Sequence, residues 1–383
     1  MVQPEEYDHA SELVRKLAYE HSSCADPRYL ERLESEIVEA VRLANEQRRP
    51  ARCSFAVGRE SGVSFNRRIR MKNGGTWTHP GKGNPENLAY AGPIDPDVSV
   101  IGIWDLDNQL LGCLVNFACH ATTNPGGISA NWIYYLERAI RGFFGDHAVI
   151  LFLAGFSGDV TQVDNLSPYA NPPAEQWAKL VGGRVGAEAL RVLLGAPQGS
   201  FGPVRALSRV LQLQRRVPAP ERVRQALEIV KRDPQQGDRT EWIFAKEIVL
   251  LDALIQRQPW ATVELQVVQL GPAVLLASPG EMFVEFGLEL KQRVRFPVVM
   301  PVELANGCVG YVPTEEAFGP RGGGYETRLT SYSNLEPSAG RKIVEVLVEL
   351  AAELRPSPLP SPPLAPPFRT PWSYGNVPPE LYD

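Results

Sequence analysis

Four side chains able to do chemistry each follow an apolar run that reads as a strand: His120, Asp159, Glu281 and Tyr311. The run Leu114-Val115-Asn116-Phe117-Ala118-Cys119 leads into His120-Ala121-Thr122-Thr123. The run from Ala148 to Leu153 breaks into Ala154-Gly155-Phe156-Ser157-Gly158-Asp159. A neutral imidazole at a buried strand end is a natural ligand for Zn²⁺. Asp159 reads either as a turn or helix-capping carboxylate, or as support for a metal ligand or a substrate hydrogen bond. Glu281, in Ser278-Pro279-Gly280-Glu281, reads either as a first-turn carboxylate facing a helix dipole or as an oxygen ligand to a metal. Tyr311, in Gly310-Tyr311-Val312-Pro313-Thr314, reads on its own as a packed aromatic with a polar tip. Tyr325 follows three glycines on a loop able to reach into a cleft. Ser157 offers a nucleophile, but Gly155-Phe156-Ser157-Gly158 is not a Gly-x-Ser-x-Gly elbow and no triad is legible.

The elements between these residues decide whether they meet. A helix is expected from near Ser129 to Gly145, with Trp132, Tyr135, Leu136, Ala139, Ile140 and Phe143 forming an apolar stripe. Strand, helix, strand in this order reads as a parallel pair with a right-handed crossover. That topology brings His120 and the Gly158-Asp159 loop to one sheet edge, where ligands of open α/β sheets bind. The expected fold is therefore α/β, a mixed, largely parallel sheet flanked by helices.

Further strands are expected over Val98 to Trp104, Leu110 to Cys119, Val204 to Leu213 and Phe296 to Leu304, with a hairpin turning at Gly271-Pro272. Ser278 to Glu281 reads as the opening of a helix that ends near Arg293. Other helices are expected from Asp26-Pro27 to about Gln47, from Ala174 to Leu194, and from Ala339 to Leu354. Glu221 to Gln256 reads as charged, helical and peripheral. Gly58 to Pro96, rich in Gly, Asn and Pro, reads as a long irregular segment with Arg67, Trp77 and Tyr90 favouring a functional role. Residues 1–354 read as one domain and 355–383 as a proline-rich tail without a core of its own.

Bulk properties exclude several classes. A net charge of −5 over 383 residues provides no basic field for nucleic acid or anionic lipid. No apolar run is long enough to span a membrane. The start, Met1-Val2-Gln3-Pro4-Glu5-Glu6, lacks the segments of a signal peptide, so a cytosolic location is expected. Five scattered cysteines without a Cys-x-x-Cys pair argue against a thiolate zinc site.

Five stretches, in order, resemble the catalytic domain of the neutral ceramidase family, the neutral/alkaline non-lysosomal amidases. They are Asn66-Arg67, Phe117 to Thr122, Ser157 to Thr161, Ser278 to Glu281, and Gly310 to Glu316. In that family a Zn²⁺ held by two histidines, a glutamate and a tyrosine activates a water against an amide carbonyl. The resemblance implies metal ligands at His120, Glu281 and Tyr311. It implies an active-site arginine at Arg67 and a tyrosine beside the reacting carbonyl at Tyr325. With Asp159 these make the expected catalytic set. The substrate it implies is a small-molecule or lipid-like N-acyl amide, left open between ceramide and another compound; the oligomeric state is left open too.

The sequence also departs from the family. The His-x-His-Ser-Gly-Pro motif that carries the first metal histidine is not found; His9 and His21 stand in charged helical sequence. Gly155-Phe156 replaces the family's Ser-Asn pair before Gly-Asp, and the C-terminal β-sandwich of full ceramidases is not read here. Two other readings therefore stand beside the amidase. One is a metal-free binding protein on the same fold; the other is a serine hydrolase using Ser157 with His120 as base.

Overall fold

The computed structural model describes residues 3–24, 26–234, 237–375 and 377–381. The ends of the two segments expected from sequence, at residues 1–2 and at 376 and 382–383, lie outside the described residues. Two four-stranded sheets pack face to face, with a helical layer on the outside of each.

The first sheet takes the order β1 (Arg52–Arg59), β6 (Asp97–Trp104), β7 (Leu110–Phe117), β8 (Val149–Ala154). Asp105 makes the tight turn between β6 and β7, its carboxylate accepting from the Asp107 and Gln109 amides while Asn108 adopts φ +62°. β7 and β8 are parallel and joined by α3 (Asn131–Phe144), as the crossover pattern requires. The second sheet repeats this logic: β10 (Val204–Gln214), β11 (Trp260–Leu270), β12 (Ala273–Ala277), β14 (Val298–Val302). Here β12 and β14 are parallel, joined by α7 (Val284–Arg293).

The expectation of a largely parallel sheet is thus corrected. In each of these sheets two pairings are antiparallel and one is parallel. The turns at 105–108 and Gly271-Pro272 are too short to do anything but reverse the chain, and the crossovers through α3 and α7 return it in the same direction. The long connections from β1 to β6 and from β10 to β11 bring it back antiparallel.

Alternation along the strands builds the layers. Val98 and Val100 face the helices, packing with Val115, Phe117, Trp132, Leu136 and Val185 of α3 and α4 (Ala174–Gly195). The intervening Ile101, with Cys53 and Phe55, packs against Ala273, Val298 and Met300 of the second sheet. On the far side, Val274, Leu276 and Val299 pack under Phe286 and Leu290 of α7 and Ile343 and Leu347 of α8 (Ala339–Ala352).

Outside these layers lie α1 (Glu12–Glu20), α2 (Pro27–Glu46), α5 (Pro220–Val230) and α6 (Arg239–Ile255). The charged stretch expected to be peripheral is not uniformly so. α6 buries Trp242, Ile248, Leu251 and Leu254 in a cluster with Val14 and Leu17 of α1 and Val230 of α5. Asp26 caps α2 through the Arg28 amide and Pro27 sits in its first turn. α2 buries none of its residues, and Leu30, Leu33, Ile37, Val41 and Leu43 are exposed.

The segment from Gly58 to Pro96 is not irregular throughout. It holds β2 (Phe65–Asn66), which pairs with β9 (Val160–Thr161). It also holds a three-stranded sheet of β3 (Arg68–Met71), β4 (Thr76–Thr78) and β5 (Asn87–Tyr90). The helix expected from Ser278 starts later, at Val284. Ahead of it β13 (Glu281–Met282) pairs in parallel with β15 (Tyr311–Val312). Among the described residues no helix is long and apolar enough to cross a membrane.

The α3–α4 crossing depends on one bare backbone position. A Cβ on Gly182 would stand 2.0 Å from the Trp132 carbonyl oxygen and 2.8 Å from the Leu136 nitrogen, backbone atoms that cannot swing away. We expect Gly182→Ala to lower stability by about 1–3 kcal/mol, because the helices must separate and loosen the first core. Urea denaturation of the two proteins checks this; an unchanged midpoint would show that the crossing is slack.

Candidate active site

The ends of β7, β8, β12 and β14 deliver their following residues to a common edge, and backbone hydrogen bonds stitch these residues together. The His120 amide donates to the Val160 carbonyl at 3.1 Å, and the Gly158 amide to that of Met282 at 2.8 Å. The Arg67 amide donates to the Asp159 carbonyl at 2.8 Å. Gly158 admits this close approach because it lacks a Cβ, which would stand 2.4 Å from the Glu281 carbonyl oxygen.

Three expected ligands converge. The β13/β15 register sets Glu281 directly beside Tyr311, so carboxylate and phenol project from neighbouring positions of one face. His120 Nε2 lies 3.2 Å from Glu281 Oε2 and 3.5 Å from the Tyr311 hydroxyl. The imidazole and phenol rings stack at 6.3 Å between centroids. His120 Nδ1 lies 2.8 Å from the Ser157 carbonyl oxygen. A carbonyl only accepts, so Nδ1 carries a proton and Nε2 is the ring atom that faces the two oxygens. Three electron-rich atoms this close repel one another unless a proton or a cation lies among them. Burial pushes the Tyr311 phenol pKa up, and Arg67 works against that rise. Among the described residues no three His, Cys, Asp or Glu side chains form a metal-sized group.

Arg67 joins them from the other side. Its Nε donates to Glu326 Oε1 at 2.6 Å, one Nη donates to the Gly158 carbonyl at 2.7 Å, and its guanidinium lies 5.2 Å from the centre of the Tyr311 ring. Burial alone would lower its pKa, but Glu326 and Tyr311 outweigh burial and the value is raised. Glu326 is fully buried and also accepts from Thr78 Oγ1. Tyr325 lies in a short 3₁₀ turn rather than a free loop, edge-on to Tyr311 at 5.5 Å, with its amide bonded to Thr78.

Of the roles its sequence allows, Asp159 takes the helix-capping, supporting one rather than a place against substrate. It is 1% exposed and faces no opening. One oxygen accepts from Asn66 Nδ2 at 2.7 Å, the other from the Val284 amide at the start of α7 at 2.9 Å. Burial pushes its pKa up and these two bonds pull it back. Asp159 positions the residues on either side of it, Arg67 and Glu281, through the backbone. Ser157 is likewise not presented as a nucleophile. It is buried, and its hydroxyl donates to Glu303 Oε1 at 2.6 Å instead of facing the His120 ring.

Sequence reasoning missed Glu303, Glu326, His79 and Asn165. Glu303 is the first polar residue after the apolar run 298–302, the same signal that singled out His120 and Asp159. His79 adopts φ +48°, donates its amide to the Arg67 carbonyl at 3.0 Å, and sets Nδ1 3.3 Å from Asn165 Nδ2. Burial, and then the charge of Arg67, hold its pKa below the usual histidine value.

This fold is ceramidase-like. The structure is similar to neutral ceramidase from Pseudomonas aeruginosa, with a TM-score of 0.59 and 19% identity, over 85% of this chain and 56% of that one. It is similar also to a ceramidase complexed with C2, with a TM-score of 0.58 and 18% identity, over 83% of this chain and 56% of that one. The chain thus spans a little over half the length of these structures. No family model matches the chain, and no curated protein does.

Glu303 gives the site a measurable pH signature. It accepts from both the amide and the hydroxyl of Ser157, and burial pushes its pKa from the ordinary 4.5 up to about 8, with Glu281 adding to the rise. A carboxyl whose pKa is raised by folding holds its proton more tightly in the folded chain. Its contribution to stability is complete below the unfolded value and is lost as pH climbs towards 8. Wild-type protein should therefore lose up to several kcal/mol between about pH 5 and about pH 9, and Glu303→Gln should lose much less. Urea unfolding at the two pH values decides; parallel losses would mean that Glu303 is ionised in the folded chain throughout.

Proposed function

We propose that this protein is a zinc-dependent hydrolase of N-acyl amides, with the metal held by His120, Glu281 and Tyr311. The observation that carries the reading is the spacing of the three donor atoms, 3.2 Å and 3.5 Å from His120 Nε2. Tetrahedral zinc with bonds of about 2.0–2.1 Å requires donor atoms about 3.4 Å apart. Three protein donors, with one position left to water or substrate, is also the pattern of hydrolytic rather than structural zinc. When bound, zinc supplies a Lewis acid and a water acidic enough to attack at neutral pH.

The chain's own residues do the rest. The Ser157 carbonyl fixes the His120 tautomer and ring angle. The Arg67 guanidinium, held rigid by Glu326 and Gly158, offers fixed positive charge beside Tyr311 for the oxygen of a polarised amide. Tyr325, at the solvent edge, offers a hydroxyl to the same oxygen or to the departing amine. Asp159 and Asn66 keep Arg67 and Glu281 at their separation. The likeness of the fold to neutral ceramidase supports an N-acyl amide as the substrate class, whether ceramide or another amide.

Metal content and hydrolysis test the reading together. Purified protein dialysed against zinc and then buffer should keep about one equivalent, measured by mass spectrometry, and His120→Ala and Glu281→Gln should lose it. Hydrolysis of N-acyl amides should stop with a chelator and return with zinc. His120→Ala should lower kcat/KM on the order of 10³-fold, and Arg67→Met about 10²-fold or more, mainly in kcat. Less than a tenth of an equivalent of zinc in the wild type, with no hydrolysis, would favour the metal-free binding protein.

A further inference from the structure

We propose that the amide substrate carries an anionic group, and that Arg328 holds it in the cavity beside the reacting centre. The inference rests on the hydrolase reading of the adjoining site. A cavity of about 450 Å³ opens next to that site, with Trp77, His79, Tyr325 and Arg328 in its wall. Tyr325 packs on Tyr311, and the His79 backbone is bonded to that of Arg67, so two residues of the cavity wall adjoin the proposed site directly. The rings of Trp77 and Tyr325 are 50% and 43% exposed, and they give the cavity aromatic walls for an apolar chain.

His79 and Arg328 bring N–H groups to this wall. Asn165 Nδ2 donates to the Val163 carbonyl as well as facing His79 Nδ1, which fixes the amide's orientation. His79 Nδ1 is therefore the acceptor, and the ring's proton sits on Nε2. The Arg328 guanidinium stacks on the Phe244 ring and makes no hydrogen bond or ion pair among the described residues. Arg222 lines the groove on the other side of Phe244 together with Arg328 and is equally without a carboxylate partner among them. Burial, and then repulsion from Arg222, lower the pKa of Arg328.

A third arginine, Arg216, stands behind them. Its guanidinium donates to the Thr327 and Ser333 carbonyls and its Nε is buried without a partner. No neighbouring carboxylate pairs with Arg328 or Arg222 among the described residues, although Asp238 acts on Arg328 through space. Asp238 is engaged as the cap of α6, accepting from the Thr240 and Glu241 amides. Glu241 lines the Arg222 groove without pairing to either arginine. Elsewhere several arginines are paired with carboxylates, among them Arg42, Arg184, Arg191, Arg209 and Arg293. Arg328, without an ion pair among the described residues at the end of an aromatic-walled cavity and backed by Arg222 in the groove beyond Phe244, fits a carboxylate or phosphate carried by the substrate. N-acyl amino acids are the simplest compounds with both parts.

Calorimetric titration of chelator-treated protein reads this without any turnover. The probes are N-decanoylglycine, the phosphate ester of N-decanoylethanolamine, and uncharged N-decanoylglycinamide. One or both anionic probes should bind at least about tenfold more tightly than the neutral one, and the stronger of the two identifies the group. Arg328→Met should abolish that preference, Arg328→Lys should retain part of it, and Arg222→Met should weaken it; thermal denaturation checks that each variant is folded. Equal binding of all three probes to the wild type, or an unchanged preference in Arg328→Met, overturns the inference. In active protein the anionic-to-neutral ratio of kcat/KM should fall at least about tenfold in Arg328→Met, through KM. Selective binding without hydrolysis of any amide would overturn the hydrolase reading and leave the anion site standing. Equal hydrolysis of charged and neutral amides would do the reverse.

Discussion

In the loop after β8 the Asp159 carboxylate lies away from water and takes one hydrogen bond from each of two distant segments, Asn66 before β3 and Val284 at the start of α7. A buried carboxylate is costly unless its oxygens are satisfied, and removing either donor leaves that cost uncompensated. The stability of the loop and the position of both segments are therefore one quantity. Arg67 follows Asn66 directly, and Glu281 stands three residues ahead of Val284. Backbone bonds from Arg67 to Asp159 and from Gly158 to Met282 tighten the same knot. The side chains of the candidate site touch one another, as His120 does Glu281 and Arg67 does Tyr311. They are held at their separation by a polar core beneath them.

The sheets explain why that core lies where it does. Each carries one parallel pair made by a helical crossover, and in both the second strand of the pair ends at the knotted edge. β8 leads into the Asp159 loop, and β14 into Glu303, whose backbone amide donates to Ala154 at the end of β8. Because the sheets stack face to face, loops from both meet at one end of the sandwich. One sheet supplies the imidazole; the loops beyond the other supply the carboxylate and the phenol. Neither sheet makes the site alone.

Much of this is legible in the residues. The apolar run into His120, the stripe of α3 and the glycine-rich break after β8 together specify a crossover, and the structure has it. Glu281 and Tyr311 are marked by the polar residue that ends an apolar stretch. Their pairing is not legible, because strands of two residues have no period to read. The start of α7 is missed for a related reason. No local side chain caps it, and its first amide is satisfied by Asp159, far away in sequence. Glu303 and Glu326 escape because carboxylates are read as surface groups until a partner is seen. β2 to β5 hide in a stretch whose glycines and asparagines suggest loop, where the ladders are short and flanked by turns. Strand direction in the main sheets is legible only where the connection is a tight turn or a single helical crossover; the long β1–β6 and β10–β11 connections allow either direction.

Gly158 draws these strands together in a different sense. Its bare α-carbon faces the Glu281 carbonyl at a distance that leaves room for hydrogen alone. No rotamer change can relieve a crowd made of main-chain atoms on both sides. At this position the protein has given up its capacity to vary. Any heavier residue would act as a wedge between the loop and β13, opening the cluster of oxygens and nitrogen by backbone displacement while every reactive group remained chemically intact.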